Sequence, residues 1–383
     1  MEFIDLKKQY NQLKEDIDIA ISNVLTKANF IMGEEVRQLE KQLAEYVGVK
    51  HCISCANGTD ALELALISYG IGMGDAVFVP TFTFYASAET VSAVGATPVF
   101  VDIHRDTFNI DEVDLENAIQ EVLQQGRLIP KAIIAVDLFG LPYNEECVNM
   151  IAKKYNMIVI EDAAQGFGGA INGRKACSLG DIATTSFFPA KPLGCYGDGG
   201  AIFTNDDGKR ELLESIKNHG KGKDKYDNIR IGKNSRLDTI QAAILLCKLN
   251  AFKEFELNRR NELREVYDYH LNGIIKTPII PNGYISSFAQ YSILFDTEDQ
   301  RNKMKNFLYK KGIPTMIYYE KCMHQQTVYI ANKSITRKFT NAEWISKTIL
   351  NLPFHPYLEE EEVINICNLI KGFALSENII QEY

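Results

Sequence analysis

The sequence predicts an α/β protein whose core is a largely parallel β-sheet. Short runs rich in β-branched and aromatic residues alternate with segments of helical periodicity between residues 51 and 204. This order favours parallel strands joined by helices. From residue 275 the pattern changes to short apolar runs between longer, more polar helical segments, which indicates a second, smaller α+β domain.

The elements of the first domain follow from this alternation. Helical periodicity over residues 5–47, broken near 28–33, predicts two helices before the first strand. Further helices are expected over 57–70 and 111–125. Strands are predicted at 51–56, 76–80, 96–103, 131–136, 157–160, at the segment that begins with residue 182, and at 201–204.

A polar segment and a long helix separate the two parts of the chain. Residues 219–234 are rich in lysine and glycine, which predicts a long mobile loop of functional interest. Residues 237–269 have the periodicity of a helix that bridges to the second domain. We expect a large domain over 1–250 and a smaller one over 251–383. The smaller domain has predicted strands at 286–294 and 315–319 and predicted helices at 298–311, 339–348 and 360–371.

The composition is that of an ordinary globular protein. The 383 residues are 46% hydrophobic and carry a formal net charge of -9, with lysine and arginine dispersed along the chain. This distribution argues against binding to nucleic acid or to an anionic membrane surface. The first residues lack the apolar core of a signal peptide, and no window approaches roughly 18 consecutive apolar residues. A cytoplasmic protein is therefore expected.

The eight cysteines are interpreted as reduced core residues. Cys52 and Cys55 form a C-x-x-C motif, but no second pair follows at the spacing of a zinc site. The residues around this motif are typical of a strand. We therefore predict no metal site.

Lys191 lies between a predicted strand and a glycine-rich turn. Pro189 and Pro192 flank it, and glycines follow at positions 194, 197, 199 and 200. The lysine is therefore held beside a core strand at some conformational cost. A desolvated lysine can lose its proton and attack a carbonyl to form a Schiff base. The alternative is an ordinary lysine on an exposed loop.

Other polar residues end strands or open helices at the same edge of the predicted sheet. Asn57, Gly58 and Thr59 open a helix whose N-terminal N–H groups suit a phosphate, although these residues could simply cap that helix. Asp162 ends a buried strand and is followed by Gln165 and two glycines. A carboxylate there needs a cationic partner, unless it caps the next turn.

These residues form a pocket suited to pyridoxal 5′-phosphate, because ligands of open α/β sheets gather at the carboxyl ends of the strands. Lys191 would bind the cofactor aldehyde, and Asp162 would keep the pyridine nitrogen protonated. Phe84, which follows another strand, would stack on the ring, although aromatics in such positions are more often core residues. The phosphate would be bound by Gly58, Thr59 and Ser186.

Five motifs together resemble the sugar aminotransferases of the DegT/DnrJ/EryC1/StrS family. They are N-G-T-D-A-L at 57–62, T-F-T-F-Y-A-S at 81–87, E-D-A-A-Q at 161–165, S-F-F-P-A-K-P-L-G-C-Y-G-D-G-G-A at 186–201 and N-S-R-L-D-T-I-Q-A-A-I-L at 234–245. The resemblance implies a fold-type I architecture like that of aspartate aminotransferase, with a mainly parallel seven-stranded sheet. It also implies a homodimer with shared active sites and a role in making amino sugars for surface polysaccharide.

The resemblance implies roles for further residues by their positions in these motifs. Gln165 would lie over the cofactor ring near its phenolic oxygen, Asn234 would reach the phosphate from the neighbouring subunit, and Arg236 would lie close to the sugar. L-glutamate would convert the cofactor to pyridoxamine 5′-phosphate, and a keto nucleotide-sugar would then receive the amino group, with Lys191 as general base. A dehydratase of this family, in which histidine replaces the lysine, is disfavoured.

The motifs favour a substrate class but leave alternatives open. The 186–200 run is most similar to members that aminate C3 of a 3-keto sugar, and its Pro192 and Cys195 to those acting on UDP-2-acetamido-2-deoxy-3-oxo-glucuronate. Such enzymes usually carry His-Tyr where this chain has Tyr318-Tyr319, so a 6-deoxy-3-keto or a 4-keto sugar stays open. The residues expected to contact the substrate are Arg236, Tyr318, Tyr319 and His324, although Arg236 could instead form a structural salt bridge at the dimer interface.

Two other functional classes stay open. A cofactor-bound regulator without turnover would leave Lys191 and Asp162 idle, and the chain has no appended basic helix-turn-helix. A fold-type I lyase or epimerase would need the same lysine without the sugar pocket. The response to glutamate discriminates between these classes, because a regulator or racemase should not accumulate the pyridoxamine form stoichiometrically.

Overall fold

The computed structural model describes residues 1–224, 226–331 and 337–377. A seven-stranded β-sheet lies at its centre. The strands of this sheet are β1 (His51–Cys55), β2 (Asp75–Pro80), β3 (Thr97–Val101), β4 (Ile129–Val136), β5 (Ile158–Asp162), β8 (Ile182–Ser186) and β9 (Gly200–Thr204). The short strands β6 (Ala170–Ile171) and β7 (Arg174–Lys175) belong to a separate small sheet.

The strand order across the large sheet is β1-β9-β8-β5-β4-β2-β3. Strands β8, β5, β4, β2 and β3 pair in parallel, whereas β9 is antiparallel to both of its neighbours. The direction of β9 is reversed because the chain returns from β8 through a turn over residues 187–199, without a crossover helix. The prediction of a largely parallel sheet is confirmed, as are its seven strands.

The helices of the first 251 residues precede, separate or follow the strands of the sheet. They are α1 (Leu6–Lys27), α2 (Glu34–Val47), α3 (Gly58–Ser68), α4 (Ala86–Ala93), α5 (Glu112–Gln125), α6 (Glu145–Lys154), α7 (Asp207–Ile216) and α8 (Thr239–Ala251). The predicted helices are confirmed as α1, α2, α3 and α5. Helices α6 and α7 were not predicted, although Asn144 and Asp206 cap them with their side chains, and such N-cap residues are a signal visible in the sequence.

Alternate residues of the central strands enter different hydrophobic clusters. Val77 and Val79 of β2 pack in one cluster with residues of α3 and α4. Ala76 and Phe78 of the same strand pack in another with residues of α5 and α6. Because successive side chains of a strand point to opposite faces, the central strands are buried on both faces, which their mostly apolar residues favour.

The large sheet is connected to the C-terminal region by a nearly continuous helical segment. Helix α8 runs into a π-helical turn over Phe252–Glu256 and then into α9 (Leu257–Leu271). This confirms the predicted long bridging helix. The described part of the preceding segment, residues 219–224 and 226–234, has no helix or strand. It contains an isolated bridge from Lys221 to Asn228, and its last residue, Asn234, forms another with Asn218.

The C-terminal elements agree in part with the sequence. They are β10 (Tyr284–Ile285), β11 (Tyr291–Leu294), α10 (Glu298–Lys310), α11 (Thr327–Ile330), α12 (Thr340–Thr348), β12 (Ile349–Leu352) and α13 (Glu360–Ser376). Strands β11 and β12 are antiparallel neighbours, and β10 joins β6 and β7. The three predicted helices are confirmed as α10, α12 and α13, whereas β12 and α11 were not predicted.

Two strand predictions in this region were wrong in extent or in kind. The 286–294 strand begins only at Tyr291, because Ser287 instead donates its N–H to the Gly140 carbonyl and its hydroxyl to the Gln165 carbonyl. The 315–319 segment is not a strand. Only Met316 pairs there, in an isolated bridge with Asn351.

The C-terminal region has its own core but also packs on the large sheet. A cluster of buried residues between 263 and 374 includes Tyr267, Tyr291 and Phe354. Met323 and Phe339, in contrast, belong to the cluster that contains β2 and α3. Residues beyond 250 thus share a core with residues before it, and the division into 1–250 and 251–383 stays a prediction.

Two further observations concern the cysteines and the possibility of a membrane or metal site. All eight cysteines are free thiols, and Cys52 and Cys55 are buried in β1, which confirms them as core residues of a strand. Cys147 and Cys247 are only half-buried, so the prediction of core cysteines is wrong for these two. Within the described ranges, no helix is both long and apolar enough to cross a membrane. The same residues contain no group of three or more histidine, cysteine or acidic side chains that could hold a metal ion.

Strand β9 approaches the start of α3 closely at Gly200. A Cβ atom at this position would lie 2.5 Å from both the carbonyl carbon and the oxygen of Asn57 and 2.9 Å from the Gly58 nitrogen. These neighbours are backbone atoms and cannot move aside as a flexible side chain could. Glycine at position 200 therefore sets how closely the N-terminus of α3 approaches the sheet.

Replacing Gly200 with alanine should lower the free energy of unfolding by about 1–3 kcal/mol, because the new methyl group overlaps the backbone of Asn57. Urea denaturation followed by circular dichroism would measure the change. Gly372→Ala is the matched control: it lies inside α13 with nothing within 4 Å of the place its methyl group would take, so it should raise stability by about 0.5–1 kcal/mol. Equal effects of the two substitutions would contradict this prediction.

Candidate active site

The carboxyl ends of the parallel strands bring together residues that are far apart in the sequence. Asp162 is the last residue of β5 and pairs with Val136 of β4 and Thr184 of β8. Ser186 is the last residue of β8. The segment that carries Phe84 follows β2 on the same edge. The shared edge is a direct consequence of the parallel strand directions.

Lys191 lies in the turn between β8 and β9. Its backbone N–H donates to the Phe188 carbonyl at 2.9 Å, and the turn is tight enough that a Cβ at Gly194 would lie 2.5 Å from the same carbonyl oxygen. The side chain is half-buried. Burial lowers the pKa of Lys191 below its usual value, and the nearby Asp162 carboxylate partly opposes this shift. A lowered pKa increases the fraction of unprotonated amine near neutral pH, and only this form acts as a base or nucleophile.

Asp162 is buried and held by two hydrogen bonds. The Ser87 hydroxyl donates to Oδ2 at 2.8 Å, and the Ala164 N–H donates to Oδ1 at 3.2 Å. Burial raises the pKa of Asp162, while these donors and the positive charge of Lys191 act in the opposite direction. A carboxylate in this setting favours a cationic or hydrogen-bond-donating ligand group at the sheet edge.

Gln165 is fixed by contacts on both sides of its amide. The Phe139 N–H donates to Oε1 at 2.6 Å, and Nε2 donates to the Tyr319 hydroxyl at 2.9 Å. The Tyr319 ring packs edge-on against Phe82, with ring centroids 5.9 Å apart, and lies 6.3 Å from Phe84. The structure thus brings Tyr319, from the C-terminal region, into contact with the predicted cofactor residues.

Phe84 differs from its aromatic neighbours in its exposure. It is 54% exposed, whereas Phe82 is fully buried. The exposure shows that Phe84 is not a core residue of the described chain, although its ring lies beside the site. An exposed aromatic face at the edge of a pocket suits stacking against a flat ring.

The N-terminus of α3 faces the end of β8. Asn57 caps this helix, since its side-chain oxygen accepts from the Asp60 N–H at 2.7 Å. A Cβ at Gly58 would lie 2.7 Å from the Ser186 Cβ, so glycine allows the serine to approach the helix start. The capping interpretation is thus correct for Asn57. It does not exclude the anion site, because the first N–H groups of a helix have no partner within it.

Asn234 and Arg236 lie on a segment tied to α3. The Lys233 ammonium forms ion pairs with Asp60 at 2.8 Å and with Glu63 at 2.6 Å, and the Ser235 hydroxyl accepts from the Ala56 N–H at 3.1 Å. Next to these anchored residues, Asn234 is exposed and Arg236 is half-buried.

Arg236 lines an open basin of about 570 Å³ on the protein surface. The other residues lining this basin are Met32, Arg210, Glu211, Glu214, Ser215, Asn218, His219, Lys221, Gly222 and Lys223. This set does not include Lys191, Asp162 or any other residue predicted to bind the cofactor. Within one chain, Arg236 therefore lines a basin to which none of the predicted cofactor residues contributes.

Tyr318 and His324 have partners of their own in the C-terminal region. The Tyr318 N–H donates to Asn351 Oδ1 at 3.0 Å, and its ring lies 5.7 Å from that of Tyr319. His324 Nδ1 lies 2.6 Å from the Thr81 hydroxyl. Contact of these side chains with a substrate stays a prediction.

The opposite side of the His324 ring faces Glu343. Nε2 of the histidine lies 3.2 Å from the Glu343 carboxylate, and the ring stacks on Phe339. Burial lowers the pKa of His324 despite this carboxylate. The histidine thus links the segment after β2, which carries Phe84, to helix α12.

A buried pair of acids behind the site was not predicted. Glu161 precedes Asp162 and accepts from the N–H groups of Cys177 at 2.6 Å and Leu179 at 2.8 Å. The Asp137 carboxyl group lies beside Glu161 and accepts from the Tyr143 N–H at 3.0 Å. Burial and mutual repulsion raise the pKa of Glu161 to about 7 and that of Asp137 well above its usual value. The pair therefore favours holding a proton between its two carboxyl groups over having both groups charged.

Ser87 is a second functional residue that sequence reasoning missed. It lies within the T-F-T-F-Y-A-S motif and in the first turn of α4. A hydroxyl in the first turn of a helix at the edge where the strands end is a signal that could have identified it. The hydrogen bond to Asp162 makes Ser87 part of the site.

The arrangement matches a known class of enzyme. A half-buried lysine with a lowered pKa, a buried aspartate, an exposed aromatic ring and a helix N-terminus beside a serine surround one edge of a mixed seven-stranded sheet. These features define a pyridoxal phosphate enzyme of fold type I.

Comparison with known proteins identifies the family. The model of the DegT/DnrJ/EryC1/StrS aminotransferase family matches residues 11–371, and the chain belongs to this family. It is 45% identical to the UDP-2-acetamido-2-deoxy-3-oxo-D-glucuronate aminotransferase of Pseudomonas aeruginosa, over 96% of this chain and 98% of that protein. It is 40% identical to a pleiotropic regulatory protein of Geobacillus stearothermophilus, over 97% of each.

Solved structures agree with this assignment. A DegT DnrJ EryC1 StrS aminotransferase from Brucella abortus superposes with a TM-score of 0.94 at 47% identity and covers 97% of this chain and 99% of that chain. Similar structures include pyridoxal and pyridoxamine phosphate forms. The family, the fold class, the assignment as an aminotransferase and the cofactor are thereby confirmed.

The shared proton behind the site should make stability depend on pH. The folded chain keeps a proton that the unfolded chain releases above its ordinary carboxyl pKa, so stability should fall as pH rises from about 4.5 through 7. Asp137→Asn mimics the protonated acid, because its amide can donate to Glu161 and accept from Tyr143. We expect this substitution to reduce the pH-dependent loss of free energy of unfolding by about 1 kcal/mol or more.

Urea denaturation at pH 5, 6.5 and 8 would measure this effect. Wild type should lose stability between pH 5 and 8, and Asp137→Asn should have the flatter profile. Glu361→Gln, at an exposed position of α13, is the control and should follow wild type. A profile for Asp137→Asn as steep as that of wild type would show that the buried pair does not share a proton.

Proposed function

We propose that this enzyme transfers the amino group of L-glutamate to C3 of a UDP-linked 3-keto sugar, with UDP-2-acetamido-2-deoxy-3-oxo-glucuronate as the favoured acceptor. The proposal depends on the juxtaposition of Lys191, Asp162 and the N-terminus of α3. It is supported by the substrate in the name of the Pseudomonas aeruginosa relative. The product would be an amino sugar for surface polysaccharide.

The residues present fit pyridoxal 5′-phosphate. The Lys191 amine would hold the aldehyde carbon, and the buried Asp162 carboxylate would pair with the protonated pyridine nitrogen. The N–H groups of Gly58 and Thr59 would bind the phosphate together with the Ser186 hydroxyl, in the space that Gly58 keeps free of a side chain. When bound, the cofactor supplies an electron sink that makes the α-proton of the amino acid acidic.

The proton transfers are assigned to Lys191. Burial lowers its pKa and thereby favours the neutral amine, which is the form that can accept the α-proton and return a proton to a neighbouring carbon. The amine lies near Asp162, whose charge favours the protonated lysine and opposes the effect of burial. The two residues thus balance each other's protonation states.

Gln165 and Phe84 would orient the cofactor ring from opposite sides of the pocket. The Gln165 amide is held by Phe139 and Tyr319, so it would present a fixed edge close to the phenolic oxygen. Phe84 would supply the stacking face, and its exposure leaves room for a planar ligand. Rigid side chains of this kind maintain the geometry of the reacting atoms.

A homodimer with shared active sites is part of the proposal. Phe30, Ile31 and Met32 are each more than 40% exposed, and Ile231 is 94% exposed. The Thr239 N–H donates to the Phe30 carbonyl, so this apolar segment lies beside the start of α8. The start of α8 follows Arg236 closely in the chain. An exposed apolar surface of this kind suits a second copy of the chain, which would bring Asn234 to the partner's phosphate and Arg236 to its sugar.

The identity of the sugar depends on Arg236, Tyr318, Tyr319 and His324. The guanidinium of Arg236 could bind a uronate carboxylate in a bidentate manner, which supports the favoured acceptor. Tyr318 occupies the position where related enzymes carry histidine, and this difference keeps a 6-deoxy-3-keto or 4-keto nucleotide-sugar as the alternative substrate.

A non-catalytic regulator is a second candidate because a relative at 40% identity is named a pleiotropic regulatory protein. A regulator could bind the cofactor through the same lysine. It would not convert the cofactor with glutamate to the pyridoxamine form.

We propose a cytoplasmic enzyme, and eight free cysteines are consistent with a reducing compartment.

The half-reactions test the function directly. Purified protein with pyridoxal 5′-phosphate should lose its visible absorbance on addition of glutamate, and the absorbance should return when a 3-keto uronate nucleotide is added after glutamate is removed. Lys191→Ala should slow the first step by at least about 10³-fold, because it removes the general base. Lys310→Ala, at an exposed position of α10, is the control and should react like wild type.

The outcomes separate the candidates. Recovery only with a 6-deoxy or 4-keto sugar would keep the aminotransferase and replace the acceptor. Failure of glutamate to bleach the wild-type absorbance, with Lys191→Ala behaving identically, would refute the aminotransferase assignment for this chain and favour the regulator.

Mixing inactive variants tests the shared site. Lys191→Ala and Asn234→Ala, co-refolded in equal amounts, should recover about a quarter of wild-type activity, because half of the dimers then contain one intact site. Lys191→Ala mixed with Asp162→Asn is the control. Both residues act in the same chain, so no dimer would have an intact site. Recovery in the control, or none in the first mixture, would contradict a site in which Asn234 comes from the partner subunit.

A further inference from the structure

A lysine in α8 occupies an unusual environment behind the turn that carries Lys191. Lys248 is 1% exposed, and its Nζ has no hydrogen-bond partner among the described residues. A buried ammonium without hydrogen bonds costs free energy, and apolar side chains of similar volume are often as stable or more stable in such places. Packing stability alone therefore does not account for a lysine at this position.

The contact that Lys248 does make is with the turn. Its Nζ lies 4.7 Å from the centre of the Tyr196 ring, a distance at which the ring face attracts a cation. The Tyr196 hydroxyl is also buried without a hydrogen-bond partner among the described residues. The ring is therefore positioned by packing and by the ammonium, without a bond through its hydroxyl.

A second residue of α8 holds the backbone of the same tyrosine. The Tyr196 N–H donates to Gln241 Oε1 at 2.9 Å, and Gln241 Nε2 donates to the Tyr196 carbonyl at 3.2 Å. Gln241 and Lys248 are two helical turns apart and lie on the same face of α8. One face of this helix thus holds both the backbone and the ring of Tyr196.

The position of Tyr196 is transmitted to Lys191 through a tightly bonded turn. The Cys195 N–H donates to the Phe187 carbonyl at 2.8 Å, and the Lys191 N–H donates to the carbonyl of Phe188, the following residue. A Cβ at Gly194 would overlap the carbonyls of Phe188 and Pro189. Because the turn has so little free space, a displacement of Tyr196 would move the backbone that bears Lys191.

The groups facing the ammonium favour its charged form at neutral pH. Burial lowers the pKa of Lys248 to about 8, with Arg260 acting in the same direction and Glu256 and Cys195 opposing it. The Glu256 carboxylate accepts from Gln9 at 2.8 Å. The amine is thus mostly protonated near pH 7 and able to attract the Tyr196 ring.

We propose that Lys248 is a positioning residue for the reaction: its ammonium holds the Tyr196 ring and thereby the turn that presents Lys191 to the cofactor. The inference rests on the proposed function, since it concerns how the lysine amine is aimed. A positioning role of Lys248 differs from a purely structural role in a property that can be measured. A merely structural lysine would affect unfolding, whereas a positioning lysine affects the binding of pyridoxal 5′-phosphate.

The test is a comparison of cofactor binding with stability. Lys248→Met keeps the volume and removes the charge, so the thermal midpoint of the apo protein should stay the same or rise. The dissociation constant for pyridoxal 5′-phosphate, titrated by its visible band, should rise about 10-fold. Lys248→Arg should restore part of the affinity. Leu308→Ala, a core substitution in α10, is the control that loses stability and keeps the wild-type affinity.

A double-mutant cycle identifies the partner of Lys248. Tyr196→Leu should weaken cofactor binding, and adding Lys248→Met to it should cause little further loss, because the contact is already gone. Additive losses, or wild-type affinity in Lys248→Met, would overturn the inference while leaving the aminotransferase intact. If wild type itself formed no lysine-dependent band with the cofactor, the proposed function would fail, and this inference with it.

Discussion

The burial of Asp162 at the end of β5 is the constraint on which the rest of the site depends. A carboxylate excluded from water is costly unless donors and positive charge compensate it. The Ser87 hydroxyl, the Ala164 N–H and the nearby Lys191 provide this compensation within the chain. The negative charge that remains uncompensated lies at the open edge of the sheet, where a protonated pyridine nitrogen would compensate it. The cofactor and the fold would then be complementary in charge.

The sheet achieves this geometry by combining two kinds of connection. Parallel strands linked by helices place Asp162 and Ser186 at one edge, as in other open α/β sheets. The reversed strand β9 then brings the chain back along β8, so that the intervening turn must pass over the same edge. This turn positions Lys191. Hydrogen bonds within the turn stabilise it, as do the two hydrogen bonds between Gln241 and the Tyr196 backbone. The flexible side chain of lysine is therefore carried on a rigid backbone.

The sequence was sufficient for the sheet, the family and the positions of Lys191 and Asp162, because a lysine before a glycine-rich turn and an acid ending a buried strand are both costly unless a ligand uses them. The sequence was not sufficient to predict the structure of residues 315–319. Apolar residues of this segment pack on the core without pairing as a strand. The Asp137–Glu161 pair was also missed. Two acids separated by a helix in the sequence give no sign that they share a proton, and only the parallel pairing of β4 with β5 brings them together. Likewise, nothing in the residues near Lys248 indicates that it will contact Tyr196, which lies on a distant turn of the chain.

The pairing of β1 with β9 has a consequence for the order in which the protein is completed during synthesis. Because His51 is in register with Thr204, the edge strand β1 can pair only after β9 leaves the ribosome, roughly 150 residues later. Until then, the edge of β1 and the start of α3 have no neighbour at Gly200. The start of α3 can therefore reach its final packing against Gly200 only after β9 has been made. A nascent chain shorter than this would expose β1 as an unpaired edge.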